Sequence, residues 1–260
     1  MILNIQDYNM PTYTNKTDKI YYNIYKSPKN AGNLLLIHDN GQSSKIFDSE
    51  IKFYNSYFNT MTVDLSGHGK SKISSDKKNN FWVSNAIAIS ELCEKVNFKR
   101  FSVIGIGGGG LVGLNIALIN QATVKNIFAD SIPGFKPDLN YMNCILQYRS
   151  NIKNSDKENF FYALNGSKWE KILEEDSAML QTFTENGDSY LIGDSKQISS
   201  SILLAGSSGY DLIPDIEERL SNVLDSLKKA QVHIFSAAKY PLIKNKNHEY
   251  RTLTLNYLFD

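Results

Sequence analysis

Six short apolar runs, separated by segments with helical spacing, constrain this chain more than any other feature. They are Leu34 to Ile37, Thr60 to Val63, Phe101 to Ile104, Val124 to Phe128, Ser201 to Ala205 and Val232 to Phe235. Continuous runs of this length suit strands buried on both faces of a parallel sheet, whereas a half-exposed strand alternates apolar and polar residues. Lys19 to Tyr25 has the alternating pattern and reads as a further strand. Phe81 to Val96 carries Val83, Ile87, Leu92 and Val96 at helical spacing; Leu111 to Ile119, about Pro214 to Ala230 and about His248 to Leu258 also read as helices. Strand–helix repetition predicts an α/β fold with a mostly parallel central sheet and helices on both faces. Ligands of such folds bind beyond the carboxyl ends of the strands, so those ends are where chemistry is sought.

The rhythm breaks between about residues 134 and 197, where polar, helix-leaning segments such as Trp169 to Phe183 replace buried strands. This interval reads as a helical cap inserted into a single domain spanning residues 1–260. Its aromatics, Tyr141, Tyr148, Phe160, Phe161, Tyr162 and Trp169, are expected to form a small core of their own and to line part of a pocket. A 260-residue chain of this composition needs no disulfide or metal to hold a core.

Composition removes several function classes. The 28 basic and 27 acidic residues leave a net charge of +1, which gives no electrostatic footprint for nucleic acid. No stretch of 18 apolar residues suggests a membrane span, and residues 1–7 lack the basic region of a signal peptide. Two cysteines, Cys93 and Cys144, make neither a disulfide framework nor a metal pattern, which points to a reducing, cytoplasmic setting. His38 and His68 have no second ligand at coordinating spacing, so no metal and no cofactor is expected.

Three strand ends carry motifs: LLLIHDNGQSSKIF at Leu34 to Phe47, VDLSGHGKS at Val63 to Ser71, and VIGIGGGGL at Val103 to Leu111. In this order and spacing they resemble the α/β-hydrolase family over nearly the whole chain: His-Gly-x-Gly, Asp-x-x-Gly-x-Gly-x-Ser, and the nucleophile elbow Gly-x-Ser-x-Gly. The resemblance implies that fold, and it implies a Ser-His-Asp triad. The residues at the three triad positions do not supply one. The nucleophile position is Gly107, the acid position after Ser201 to Ala205 is Gly209, and the base position after Val232 to Phe235 is Lys239. Asp211 is the acid only in a different loop register, and His248 falls at the start of the last helix, a poor place for a base.

The expected function is therefore that of a degenerate member without serine hydrolysis, holding a small ligand, anionic ones included, or a protein partner. The ligand-binding candidates are Asn40, Gly108, Lys239 and Asp39. The N–H groups of Gly108 and Asn40 stand where oxyanion donors would. The glycine run Gly107 to Gly110 can serve as an anion cradle at a helix N-terminus or simply permit the turn and close packing, and the second reading outweighs the first. Lys239 can face the pocket as an acid-binding ammonium or a base, or turn out to solvent or pair with a nearby carboxylate, and the second reading outweighs the first; Asp39, where the family has glycine, can pair with it across the pocket mouth. An alternative retains enzymatic acid/base chemistry on Lys239, Asp39 or Asp130, and a hydrolase acting on a small ester or amide follows from fold analogy alone.

Overall fold

The computed structural model describes residues 11–14, 19–72, 80–209 and 212–259. In chain order it contains β1 (Thr12–Thr14), β2 (Lys19–Tyr25), β3 (Asn33–Ile37), α1 (Asp48–Tyr54), β4 (Asn59–Val63), α2 (Phe81–Lys95), β5 (Phe101–Ile106), α3 (Gly108–Ile119) and β6 (Val124–Asp130). There follow α4 (Leu139–Ser150), α5 (Asp156–Asn165), α6 (Trp169–Asn186), β7 (Ser201–Ser207), α7 (Ile216–Leu224), β8 (Ala230–Phe235), α8 (Leu242–Asn245) and α9 (Asn247–Phe259).

The strands form one sheet in the order β1-β2-β4-β3-β5-β6-β7-β8. β1 and β2 join antiparallel, and every pairing from β4 to β8 is parallel. The two-residue period of the strands divides the core into two layers. Leu35, Ile37, Val103, Ile202 and Leu204 face α2, α3 and α7, whereas Leu34, Leu36, Ile104, Ile106 and Leu203 face α1 and α9. Strands buried on both faces are why the runs read from the sequence are continuous.

The helix expected over Pro214 to Ala230 is shorter, Ile216–Leu224, because Asp225 to Leu227 turn and β8 starts at Ala230. α1, α8 and the three-residue β1 had no periodic signal long enough to read. Helices α4, α5 and α6 lie between β6 and β7. Ile152, Phe161, Trp169 and Leu173 cluster there, with Tyr148 and Phe160 against them. Two of the aromatics expected in that cluster lie elsewhere: Tyr162 is 56% exposed, and Tyr141 packs against the main core. Among the described residues no helix is long and apolar enough to cross a membrane, and no group of three metal-ligating side chains occurs.

Candidate functional site

The site lies at the carboxyl ends of β3 and β5. β5 ends at Ile106, and Gly107 turns the chain into α3 with φ 51° and ψ −118°. That backbone belongs to the left-handed side, where a residue without Cβ carries no penalty. Its N–H donates to the Asp130 carbonyl at 2.7 Å, which fixes the turn to the neighbouring strand. The next glycines permit close approach: a Cβ on Gly109 would fall under 3.0 Å from the Ile37 and His38 carbonyls, and one on Gly113 2.9 Å from Val103.

The Asp39 carboxylate fills the space in front of Gly107. A Cβ on Gly107 would lie under 3.0 Å from Cγ and both oxygens of Asp39. Asp39 Oδ1 accepts from the Gly108 N–H at 2.6 Å and from the Asn40 N–H at 2.7 Å. Asp39 Oδ2 accepts from the Tyr240 hydroxyl at 2.5 Å, and Gln42 Nε2 in turn donates to that hydroxyl at 2.6 Å. The two N–H groups singled out in the sequence thus converge on one oxygen, and the oxygen is the chain's own. Burial raises the Asp39 carboxyl above its ordinary value; the Tyr240, Gly108 and Asn40 hydrogen bonds pull the other way.

Asn40 is clamped from both sides. Its Nδ2 donates to Asp176 Oδ1 at 2.7 Å, and its Oδ1 accepts from Trp82 Nε1 at 3.2 Å. Asp176, on α6, also receives Arg149 of α4 at 2.5 Å, and Arg149 donates to Ser177 at 2.9 Å. The Arg149–Asp176 pair thus joins α4 to α6, and the Asn40–Asp176 hydrogen bond ties α6 to the loop after β3.

The two histidines of this region hold loops. Leu65 N–H donates to His38 Nε2 at 2.9 Å, and Gly41 N–H donates to His68 Nε2 at 3.0 Å. An acceptor at Nε2 places the proton on Nδ1, and those nitrogens face the carbonyls of Asp39 and Ser66. Burial, followed by the neighbouring His68, holds His38 down at about 4, so it is neutral near pH 7.

Asp130 is fully buried and accepts from the Ser131 hydroxyl at 2.5 Å. Burial pushes it up to about 7, against the Ser131 and Tyr250 hydrogen bonds and with the charge of Asp39 adding to the rise. The unfolded chain releases this proton near pH 3.9, so between about 4 and 7 the native state binds more protons than the unfolded one. Stability must then fall as pH rises through that window. Asp130→Asn removes the effect. Its stability relative to the parent is expected to improve by roughly 2–4 kcal/mol between pH 4 and pH 8 in urea melts. The opposite slope contributed by His38 is common to both proteins, and a pH-independent difference would contradict this account.

Several sequence expectations are corrected by position. Lys239 is exposed, and the residue that reaches Asp39 is its neighbour Tyr240. Lys239 thus turns outward, as the favoured sequence reading has it, and the Asp39–Lys239 pair is replaced by a carboxylate–phenol hydrogen bond. Gly209 lies in an exposed turn, where a Cβ would come within 2.9 Å of the Ala237 carbonyl carbon. Asp211 lies outside the described residues. His248 is exposed in the first turn of α9, at the start of the last helix as read from the sequence. Cys144 is partly exposed on α4. Cys93 is buried on α2, and burial pushes its thiol up to about 12, which leaves it inert. Beside Cys93 a surface cavity lined by Ser90, Phe98, Lys99 and Thr123 opens at the opposite end of β5, away from these groups.

Tyr240, Asp176, Arg149 and Trp82 were not singled out from sequence. Tyr240 follows the base position by one residue, which is the signal that could have found it. The others meet only through tertiary packing.

The fold and this arrangement of strand ends define a family. The α/β-hydrolase fold profile matches residues 32–188, and the chain belongs to that family. No curated protein matches the chain. Among solved structures, N-acyl homoserine lactonase AidH in complex with N-butanoyl homoserine superposes with a TM-score of 0.76 at 14% identity, covering 96% of each chain. A carboxylesterase structure from the thaumarchaeon Nitrososphaera gargenis gives 0.75 at 15% identity, covering 95% of this chain and 97% of that one. A putative hydrolase from Bacillus subtilis gives 0.74 at 17% identity, covering 96% and 91%. These likenesses establish the fold.

Proposed function

We propose that this α/β-hydrolase-fold protein carries out no serine-type acyl transfer and instead holds a small ligand beneath α4–α6. One observation carries the reading: the Asp39 carboxylate occupies the volume that a nucleophile side chain at residue 107 would need, and it consumes both backbone N–H donors that would stabilise an acyl-transfer oxyanion. A nucleophile, a base within reach and an orienting group are all required for the triad mechanism. Gly107, Gly209 and the outward Lys239 provide none of them. Esterase and lactonase neighbours suggest the size of the ligand, that of a small ester or lactone or its acid. The two free thiols suit a reducing, cytoplasmic setting.

The test is direct. Purified protein is expected to turn over p-nitrophenyl acetate no faster than its Asp39→Asn variant, and to form no adduct with a serine-directed phosphonate. A phosphonate adduct or saturable ester turnover by the unmodified chain overturns the reading.

A second reading, acid/base catalysis without a covalent step, is favoured by the raised Asp39 carboxyl and its bond to Tyr240. Asp130 is fully buried and Lys239 faces solvent, so this chemistry would rest on Asp39 alone. It requires a turnover that Asp39→Asn abolishes.

A further inference from the structure

Two buried imidazoles close the loops after β3 and β4 against each other. His38, in the loop after β3, accepts the Leu65 N–H of the loop after β4 at 2.9 Å; His68, in the loop after β4, accepts the Gly41 N–H of the loop after β3 at 3.0 Å. We infer that this reciprocal pair is a proton-operated clasp: acid converts both acceptors into donors, frees the Asn40–Gly41 turn from the loop after β4, and turns His68 towards Asp176. The inference goes beyond the non-hydrolytic reading and holds whether or not the site turns over an ester.

Each ring has its second nitrogen on a carbonyl, His38 Nδ1 on Asp39 at 2.8 Å and His68 Nδ1 on Ser66 at 3.0 Å. A neutral imidazole offers one N–H and one lone pair, so each ring has a single working tautomer, with the lone pair on Nε2. A second proton must go to Nε2, where it meets a backbone N–H. Two facing donors make no hydrogen bond, and the amide is left buried without a partner. The ring centroids lie 5.6 Å apart and the residues are 0% and 4% exposed, so two charges there repel with little water between them.

The surrounding charges give the response a direction. His38 faces Asp64, but both Asp64 oxygens already accept backbone N–H groups, from Ser44 at 2.7 Å and Lys70 at 2.8 Å. Burial and then His68 outweigh the pull of Asp64, the Asp39 carbonyl and Asp176, and hold His38 down at about 4. His68 Nε2 lies 3.7 Å from Asp176 Oδ1 on α6. That oxygen accepts the Asn40 amide at 2.7 Å, while Arg149 of α4 holds Oδ2. Phe81 of α2 packs on the His68 ring and brings no charge. A protonated His68 Nε2 therefore exchanges an N–H that repels it for a carboxylate that attracts it, in competition with Asn40. The turn carrying Asn40 and Gly41 then loses its ties to the loop after β4 and to α6 in one event, which is how histidine protonation biases a two-state element.

The test follows amide signals of the 15N-labelled full chain from about pH 7 to about pH 3.5. The Leu65 and Gly41 amide protons are expected to move upfield in one step centred near pH 4, and the Asn40 side-chain NH2 to move with them. The amides of β5, Val103 among them, are expected to stay fixed through that step. His38→Gln keeps an acceptor oxygen within reach of Leu65 but cannot titrate; it is expected to fix the Leu65 amide while Gly41 still moves. His68→Gln is expected to fix Gly41 and to raise the Leu65 step by at least about half a pH unit, because the neighbouring positive charge is gone. The unsubstituted protein provides a check that needs no variant. Near pH 7 both imidazoles are expected to show a protonated Nδ1 and a bare Nε2 in their 15N signals, and both Nε2 atoms to gain protons in the step. Leu65 and Gly41 amides that hold down to the lowest pH in the folded chain overturn the inference. So does a step that survives in the double variant, a protonated Nε2 near pH 7, or loss of the β5 amides together with the step.

Discussion

Gly107→Ser is expected to destabilise the native chain by about 2–6 kcal/mol. Holding a non-glycine residue at φ 51° costs about 1–3 kcal/mol, and overpacking a filled site adds about 1–3 kcal/mol. The overpacking comes from the Asp39 carboxyl, all three of whose terminal atoms lie under 3.0 Å from the new Cβ. The same substitution in an Asp39→Gly background is expected to cost only the backbone part. Residues in direct conflict are coupled, and a double-mutant cycle on urea melts should return a coupling energy of about 1–3 kcal/mol. Equal costs in the two backgrounds would show that the Asp39 carboxyl does not stand in the serine's place. The glycine at 107 and the aspartate at 39 are two halves of one substitution: each is compatible with the fold because of the other.

The second large effect concerns recovered chemistry. Placing Ser at 107, Asp at 209 and His at 239 is expected to leave the protein inert towards activated esters, because Asp39 still blocks the serine and holds both N–H donors. Adding Asp39→Gly frees them. Loss of a single oxyanion donor costs about 10²–10³ in rate, so freeing two is expected to raise ester cleavage by at least about 10²-fold over the triple variant once a base is in reach. Position 240 is where that base belongs, since Tyr240 reaches the site and Lys239 faces solvent. His at 240 is therefore expected to outperform His at 239. The acid is the tightest of the three, because Asp at 209 presses on the Ala237 backbone and the loop after β8 must yield. Cleavage by the triple variant with Asp39 intact would refute this ordering.

The strands were legible because burial on both faces writes unbroken apolar runs, and the strand-end motifs placed Gly107 and Gly108 on the turn where they stand. Asp39 was legible as a departure from the family pattern, but its partner was not. Loop residues have no period, and a one-residue difference in the loop after β8 separates an outward lysine from an inward tyrosine. Arg149 and Asp176 were silent for another reason. They sit on different helices, and only packing brings them to Asn40. The run from Gly107 to Gly110 allows close packing, as the contacts awaiting a Cβ at Gly109 show. The sequence could not reveal that the same bare turn would be occupied by a neighbouring side chain.

The Arg149–Asp176–Asn40 chain has a kinetic consequence. Lifting α4 and α6 together from the loop after β3 would keep the Arg149–Asp176 pair but strip Asp176 of the Asn40 amide, and losing a hydrogen bond to a charged group costs about 1.5–3 kcal/mol. A toll of that size on each opening slows arrival and departure alike, so a guest lodged there should be held for long dwell times even when its equilibrium affinity is modest.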